Sequence, residues 1–142
     1  MIVYCDTSAL IKRYVEEDGT AQVDSLWENA DAVSTSVVAF AETMAALNRK
    51  FREGILSKNE FKETAREFKE DYEKLILVPM NKELNNVIEG LLRKHTLRGF
   101  DAIHLSSALV FAEASAGLVF ACFDSALNVA AAREGLRLAD QA

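Results

Sequence analysis

Five short β-rich runs alternate with helical stretches along the chain, and this alternation limits the fold more than any other feature. Strands separated by helices are typical of α/β domains, in which helices connect parallel strands and cover the sheet. The sequence therefore predicts an α/β domain with a mainly parallel sheet. The predicted strands are Ile2 to Tyr4, Ala32 to Thr35, Leu75 to Val78, Leu118 to Cys122 and Leu136 to Leu138.

Two helices are well defined by their starts and their apolar spacing. Ser57 and Glu60 stand at the spacing of a capping box, which predicts a helix running to about Glu73. A second apolar stripe predicts another helix, ending near His95. Both stripes are interpreted as core. Their members are Phe61, Ala65, Phe68 and Tyr72 in the first helix and Leu84, Val87, Ile88, Leu91 and Leu92 in the second.

The chain is expected to form one domain over residues 1–142. This length is close to the commonest domain size, and a 50% hydrophobic content is sufficient for one sizeable core. The single proline and the six glycines are scattered, so no linker or internal repeat is visible.

The sequence carries no sign of export or of membrane insertion. Its start lacks the basic residues, long apolar run and cleavage site of a signal peptide. Its apolar runs are far shorter than the roughly 20 residues that a membrane helix needs. We therefore expect a cytoplasmic protein without a membrane partner, in which Cys5 and Cys122 are reduced core residues.

Two acids follow predicted strands directly. Asp6 ends the first strand and Asp124 ends the fourth, and each precedes a hydroxyl residue and a helix. The ligand crevice of an open α/β sheet lies beyond the carboxyl ends of its strands, so both acids are candidate site residues. Helix N-capping is the alternative, because Asp is favoured at that position.

Two further acids, Glu42 and Asp101, each interrupt a helix face that otherwise looks buried. A buried carboxylate is costly unless a cation pairs with it. One possibility for each is a shared cation site. The other is a buried salt bridge, to Arg49 for Glu42 and to Arg98 for Asp101.

If the four acids converge, their mutual repulsion requires neutralisation by divalent cations. Oxygen ligands without cysteine indicate Mg²⁺ or Mn²⁺ and not zinc. Carboxylate-held Mg²⁺ typically activates water against a phosphodiester. The predicted reaction class is phosphodiester hydrolysis, with Asp6, Glu42, Asp101 and Asp124 as both metal ligands and catalytic residues.

Four sequence segments, taken together in this order, resemble PIN-domain nucleases and especially the VapC-type toxins. The resemblance covers nearly the whole chain. Its most specific piece is the stretch around Asp101. The segments are D-T-S after the first strand, VVAFAETMAAL around Glu42, LRGFDAIHLSSAL around Asp101 and FDSAL at Asp124.

The resemblance implies a three-layer α/β/α sandwich with a parallel sheet and endonucleolytic cleavage of RNA with Mg²⁺ or Mn²⁺. Asp6, Glu42 and Asp101 match the family's three main acids, and Asp124 matches the fourth. Thr7 or Ser8 matches a hydroxyl position beside the first acid, where it could contact water or phosphate. The family also implies a homodimer and a cognate antitoxin whose tail enters the active-site groove.

The sequence departs from the family pattern after the fourth acid. Many relatives carry a further acid there, whereas this chain has Ser125 and Asn128, so the sequence leaves one or two metal ions open. His104 lies one helical turn after Asp101 and is interpreted as a structural hydrogen-bonding residue, with metal ligation as the alternative. His95 is expected to interact with a helix C-terminus.

The net charge of −6 disfavours RNA binding by the overall field of the protein. Basic residues nevertheless gather next to three of the acids, and a positive rim around an acidic centre would suit an RNA backbone. The alternative is ordinary solvated helix surface. The candidates for substrate binding are Arg13, Arg49 and Arg98, together with Thr7 and Ser8.

Three rival functions are weighed against the nuclease. A signalling receiver domain needs paired acids after the first strand and a lysine after the last, and both are missing here. An aspartyl-phosphate phosphatase needs a second Asp two residues after the first, where this chain has Ser8. A PIN-domain nuclease of RNA processing stays open, because it would use the same acids.

Overall fold

Strands and helices alternate along residues 1–141, the part of the chain that the computed structural model describes. Short 3₁₀ turns lie at Ile11–Arg13 and Ala139–Gln141. The predicted single domain extends to residue 142, which lies outside the described residues. The strands are β1 Ile2–Cys5, β2 Ala32–Ser36, β3 Ile76–Val78, β4 Leu118–Ala121 and β5 Arg137–Leu138. The helices are α1 Thr7–Leu10, α2 Thr20–Asn29, α3 Ala39–Arg52, α4 Lys58–Tyr72, α5 Lys82–Lys94, α6 Gly99–Ala114 and α7 Ser125–Arg133.

The five strands form one parallel sheet in the order β3-β2-β1-β4-β5. The central strand β1 is paired on both sides, so that Val3 lies between Val33 and Val119. Each predicted strand is present, with its ends within one residue of the prediction. The predicted mainly parallel α/β architecture is confirmed.

Two hydrophobic cores lie on opposite faces of the sheet, because successive side chains of a strand point to opposite sides. Tyr4 packs with Phe120 and with residues of α5, α6 and α7. Val3 and Cys5 pack with residues of α1, α2 and α4. Helices thus cover both faces, and the protein is a three-layer α/β/α sandwich.

The two predicted helices are present, with one correction to the expected core. The capping box at Ser57 and Glu60 is formed, and α4 ends one residue before the predicted Glu73. Leu84 and Leu91 of α5 are buried, but Leu92 is exposed, so its assignment to the core was wrong. A helix turns 100° per residue, which places Leu92 at the margin of the stripe.

All β-strands point the same way, so their carboxyl ends meet at one edge of the sheet. Asp6 follows β1 and caps α1, and Asp124 follows β4 and caps α7. The first turns of α3 and α6 contain Glu42 and Asp101. The described chain contains no helix long and apolar enough to span a membrane. Both cysteines are buried and unbridged, as predicted.

Candidate active site

Asp6 is a buried carboxylate with no ion pair to any lysine or arginine of the described chain. Its Oδ1 accepts hydrogen bonds from the Ser8 hydroxyl at 2.7 Å and from the Ala9 amide at 3.0 Å. Burial raises the pKa of Asp6 above its ordinary value, although these bonds and nearby His104 act in the opposite direction. Asp6 is therefore an N-cap, as the alternative interpretation held, and also an acid whose charge is poorly compensated within the protein.

Glu42 is held in a hydrogen-bond network and not in a salt bridge to Arg49. Its Oε1 accepts from the Thr7 hydroxyl at 2.7 Å and lies 2.7 Å from His104 Nε2. Burial alone would raise the pKa of Glu42, but the bonds from His104 and Thr7 outweigh it, so the net shift is downward. The site thus stabilises the ionised form of Glu42.

Asp101 and Asp124 share one arginine as their counter-ion. The Nε of Arg98 donates to Asp101 Oδ2 at 3.1 Å, and its Nη2 lies 3.6 Å from Asp124 Oδ2. The hydrogen bond and the two negative charges raise the pKa of Arg98. The salt bridge considered for Asp101 therefore exists, but it lies at the surface, since the Arg98 side chain is 81% exposed.

A path of hydrogen bonds through Ser8 connects Asp6 to the backbone beside Asp124. The Phe123 amide donates to the Ser8 hydroxyl at 2.9 Å, and this hydroxyl donates to Asp6. Phe123 directly precedes Asp124. His104 similarly connects the helices, since it contacts Glu42 and lies one turn after Asp101. Hydrogen bonds thus join Asp6 to the turn between β4 and α7 through Ser8, and join Glu42 to α6 through His104, at the carboxyl edge of the sheet.

The side chains of the four acids are not arranged as a preformed metal site. Within residues 1–141, no three acidic, histidine or cysteine side chains approach one another closely enough to hold one ion. Their present partners are Arg98, His104 and hydroxyl groups. A cation would require changes of side-chain rotamer, foremost a withdrawal of Arg98. The donor set itself fits a hard divalent cation, because all four carboxylates offer oxygen and the buried Asp6 pairs with no lysine or arginine within the described residues.

The predicted substrate-binding residues lie in different environments. The Thr7 hydroxyl donates a hydrogen bond to Glu42 and the Ser8 hydroxyl donates one to Asp6, so both residues contact the acids directly. Arg13 pairs with Asp24 at 2.6 Å and its guanidinium lies over the Trp27 ring. Arg49 is exposed on α3, two turns beyond Glu42. Arg98, described above, already contacts the site.

Other residues singled out in the sequence have mainly structural contacts. Asn128 donates to the Cys122 carbonyl at 2.8 Å, and Ser125 begins α7. His95 pairs with Glu134 at 2.8 Å. Burial raises the pKa of the Cys122 thiol, which favours the neutral thiol over the thiolate.

One residue of the site was not singled out in the sequence. The hydroxyl of Tyr4 lies 2.9 Å from His104 Nδ1, deep inside the protein. A tyrosine in a strand that is buried on both faces must find a partner for its hydroxyl, and this rule is the signal that could have indicated it.

Comparison with known proteins identifies the family. The sequence model of the PIN domain matches residues 3–133. "Ribonuclease VapC45" of Mycobacterium tuberculosis is 34% identical over 138 residues, which cover 97% of this chain and 94% of the relative.

Solved structures show the same fold at low sequence identity. The structure of VapC20 from Mycobacterium tuberculosis, described as a "Sarcin-Ricin loop cleaving toxin", aligns with a TM-score of 0.65 at 18% identity, covering 90% of this chain and 94% of that one. A "Toxin-antitoxin complex from Klebsiella pneumoniae" aligns with a TM-score of 0.64 at 14% identity and 87% coverage of each chain.

The solved structures share the three-layer α/β/α sandwich with this chain. The chain belongs to the PIN domain family, and its similarity to VapC45 places it with the VapC-type members. The receiver and phosphatase alternatives are thereby discarded.

Proposed function

We propose that the chain is an endoribonuclease that uses Mg²⁺ or Mn²⁺ to hydrolyse RNA phosphodiester bonds. The observation that carries the proposal is the placement of Asp6 at the carboxyl end of β1, where it is buried and has no lysine or arginine ion-pair partner within residues 1–141. A structural role alone does not explain a buried charge of this kind, because an Asn would cap α1 equally well. The ribonuclease name of a relative 34% identical over 97% of the chain supports the same activity.

The proposed site has four candidate metal ligands. Asp6, Glu42, Asp101 and Asp124 would hold the cation. When bound, a divalent cation supplies a Lewis acid that favours the attack of water on phosphorus and stabilises the leaving oxygen.

Hydroxyl groups and arginines complete the proposed site. Thr7 and Ser8 orient the carboxylates of Glu42 and Asp6 through their 2.7 Å hydrogen bonds. Arg98, Arg49 and Arg13 would contact the RNA backbone, with Arg98 nearest to the reacting phosphate because it already touches two of the acids.

We further propose that the protein is the toxin of a toxin–antitoxin pair. The relatives and structural neighbours of this fold include a cleaving toxin and a toxin–antitoxin complex. The expected partners are therefore RNA, a cognate antitoxin protein and a second copy of the chain. The expected compartment is the cytoplasm, where the RNA is found.

Replacement of Asp101 by Asn tests the proposed activity. The amide keeps the shape of the side chain but loses the charge that would hold a cation, so Asp101→Asn should remove RNA cleavage and leave the protein folded. Cleavage of structured RNAs is followed by gel with Mg²⁺, with Mn²⁺ and with a chelator. Glu113→Gln is the matched control, because Glu113 is an exposed acid at the far end of the same helix.

Induction of the gene in a bacterial host tests the proposed toxin role. Wild type and Glu113→Gln should arrest growth and Asp101→Asn should not. Cleavage without growth arrest would favour a nuclease of RNA processing. Cleavage at the wild-type rate by folded Asp101→Asn would contradict the proposed mechanism.

A further inference from the structure

Four side chains form a continuous chain of hydrogen bonds from the core to the site. The Tyr4 hydroxyl lies 2.9 Å from His104 Nδ1, and His104 Nε2 lies 2.7 Å from Glu42 Oε1. The Thr7 hydroxyl donates to the same Oε1 at 2.7 Å and lies 3.3 Å from His104 Nε2. Tyr4 and His104 are almost fully buried. The inner end of this chain is therefore fixed by packing.

The positions of the protons in this hydrogen-bonded series follow from the groups at its two ends, Glu42 and Tyr4. An ionised carboxylate only accepts, so the nitrogen facing Glu42, Nε2, carries a proton. In the neutral imidazole, Nδ1 is then an acceptor, and the Tyr4 hydroxyl supplies the proton for that bond. A phenol has an ordinary pKa of about 10, so Tyr4 keeps this proton at neutral pH. Tyr4 thereby selects the tautomer of His104 that donates to Glu42.

Both bonds to Glu42 end on the same oxygen. Thr7 and His104 occupy Oε1, and neither contacts Oε2. The Glu42 side chain is 25% exposed, so the carboxylate lies between the buried side chains of Tyr4 and His104 and the solvent. This arrangement fixes one oxygen to the protein and leaves the other outside the network.

We propose that His104, oriented by Tyr4, is a positioning residue that holds Glu42 by Oε1 and leaves Oε2 for a divalent cation. The inference rests on the proposed function, because it assumes that Glu42 is a ligand. Hydrogen-bond partners behind a metal ligand fix its orientation, and their loss typically lowers metal affinity about 10- to 100-fold. His104 would act through Glu42 and would not touch the cation.

Two substitutions of His104 separate this role from simple packing. The amide nitrogen of Gln reaches the position of Nε2, so His104→Gln can still donate to Glu42. The amide of Asn reaches only the position of Nδ1, so His104→Asn can still accept from Tyr4 but loses Glu42. Tyr4→Phe removes only the hydroxyl that sets the tautomer. Each variant is titrated with Mn²⁺ by calorimetry, after thermal melts have shown that it is folded.

The expected order of Mn²⁺ affinity is wild type, then His104→Gln close to it, then Tyr4→Phe, with His104→Asn lowest. The loss for His104→Asn should be about 10-fold or more. Equal affinities for folded His104→Gln and His104→Asn would overturn the positioning role.

Glu42→Gln distinguishes failure of this inference from failure of the proposed function. If Glu42→Gln weakens Mn²⁺ binding and His104→Asn does not, only the positioning role is wrong. If Glu42→Gln itself binds Mn²⁺ like wild type, Glu42 is not a ligand, and both the proposed ligand set and this inference are wrong.

Discussion

Replacement of Asp6 by Asn should make the metal-free protein more stable. The amide retains an oxygen for the Ala9 N–H, and Asn is as good an N-cap as Asp. It removes a charge that lies at only 5% exposure without a cationic partner. The variant also loses charge-assisted hydrogen bonds, each of which stabilises by about 1 kcal/mol more than a neutral one, and this loss offsets part of the gain in stability. Because burial nevertheless raises the pKa of Asp6, the net effect favours Asn. Relief of a poorly compensated buried polar group is typically worth about 1 kcal/mol or more.

The predicted gain depends on pH in a defined direction. The pKa of Asp6 in the folded protein lies above its ordinary value of 3.8, so the folded state binds this proton more tightly than the unfolded chain. The ionised carboxylate therefore lowers stability above the raised pKa, and this cost disappears as the pH falls below the ordinary value. The advantage of Asp6→Asn should be largest at neutral pH and should shrink on acidification.

Thermal melts in a chelator measure the effect. A gain of 1 kcal/mol in a chain of this length corresponds to a rise in Tm of about 3 °C. Asp124→Asn is the matched control: Asp124 caps α7 in the same way, but it is partly exposed and faces Arg98. The control should show no such rise. A lower Tm for Asp6→Asn at neutral pH, or an equal rise in both variants, would refute the electrostatic argument.

Three further predictions concern the cation, Arg98 and assembly. Millimolar Mn²⁺ should raise the Tm of wild type but not of Asp6→Asn, because only the folded acid cluster binds it; an unchanged wild-type Tm would contradict a shared cation site. Arg98→Gln should bind Mn²⁺ more tightly by calorimetry, since the guanidinium no longer pairs with Asp101 and Asp124. The same variant should bind RNA more weakly, and its RNA affinity should depend less on salt concentration, with a log–log slope smaller by about one. Unchanged affinities for both Mn²⁺ and RNA would argue against competition between the cation and Arg98. Light scattering should show a homodimer, because apolar side chains such as Leu92, Met80 and Ile76 stay exposed in the region of β3 and α5; a monomer at micromolar concentration would remove this expectation alone.

Local chemistry explains why most of the fold could be predicted from the sequence. The strand β4 is a run of four buried residues, and such runs stand out because both faces of the central sheet are covered. The helix α4 was found from Ser57 and Glu60 because a capping box is formed by neighbouring residues. Leu92 was misplaced because the edge of an apolar stripe depends on which helices lie beside it, and this information is not local.

The acids could be predicted as candidates, but their partners could not. Asp6 and Asp124 follow strands, so the topology of a parallel sheet brings them to one edge. Glu42 and His104 are 62 residues apart, and no spacing rule joins them. The expected partner, Arg49, is near Glu42 in sequence but lies two turns away along α3. Proximity in sequence suggested Arg49 as the partner of Glu42, whereas the tertiary structure brings His104 there.

The acidity of the chain also shapes how RNA could be bound. A protein with a net charge of −6 gains little from long-range attraction to a polyanion, so affinity must come from short-range contacts. Two of the three arginines proposed to contact RNA are already paired with carboxylates, Arg13 with Asp24 and Arg98 with Asp101 and Asp124.

A phosphate must therefore compete with these internal partners. Neutralisation of the acids by a divalent cation would release Arg98 for the phosphate, so cation and RNA should each strengthen the binding of the other by the same factor. In this arrangement the cation-bound acids, and not the overall field of the protein, would allow the surface to bind RNA.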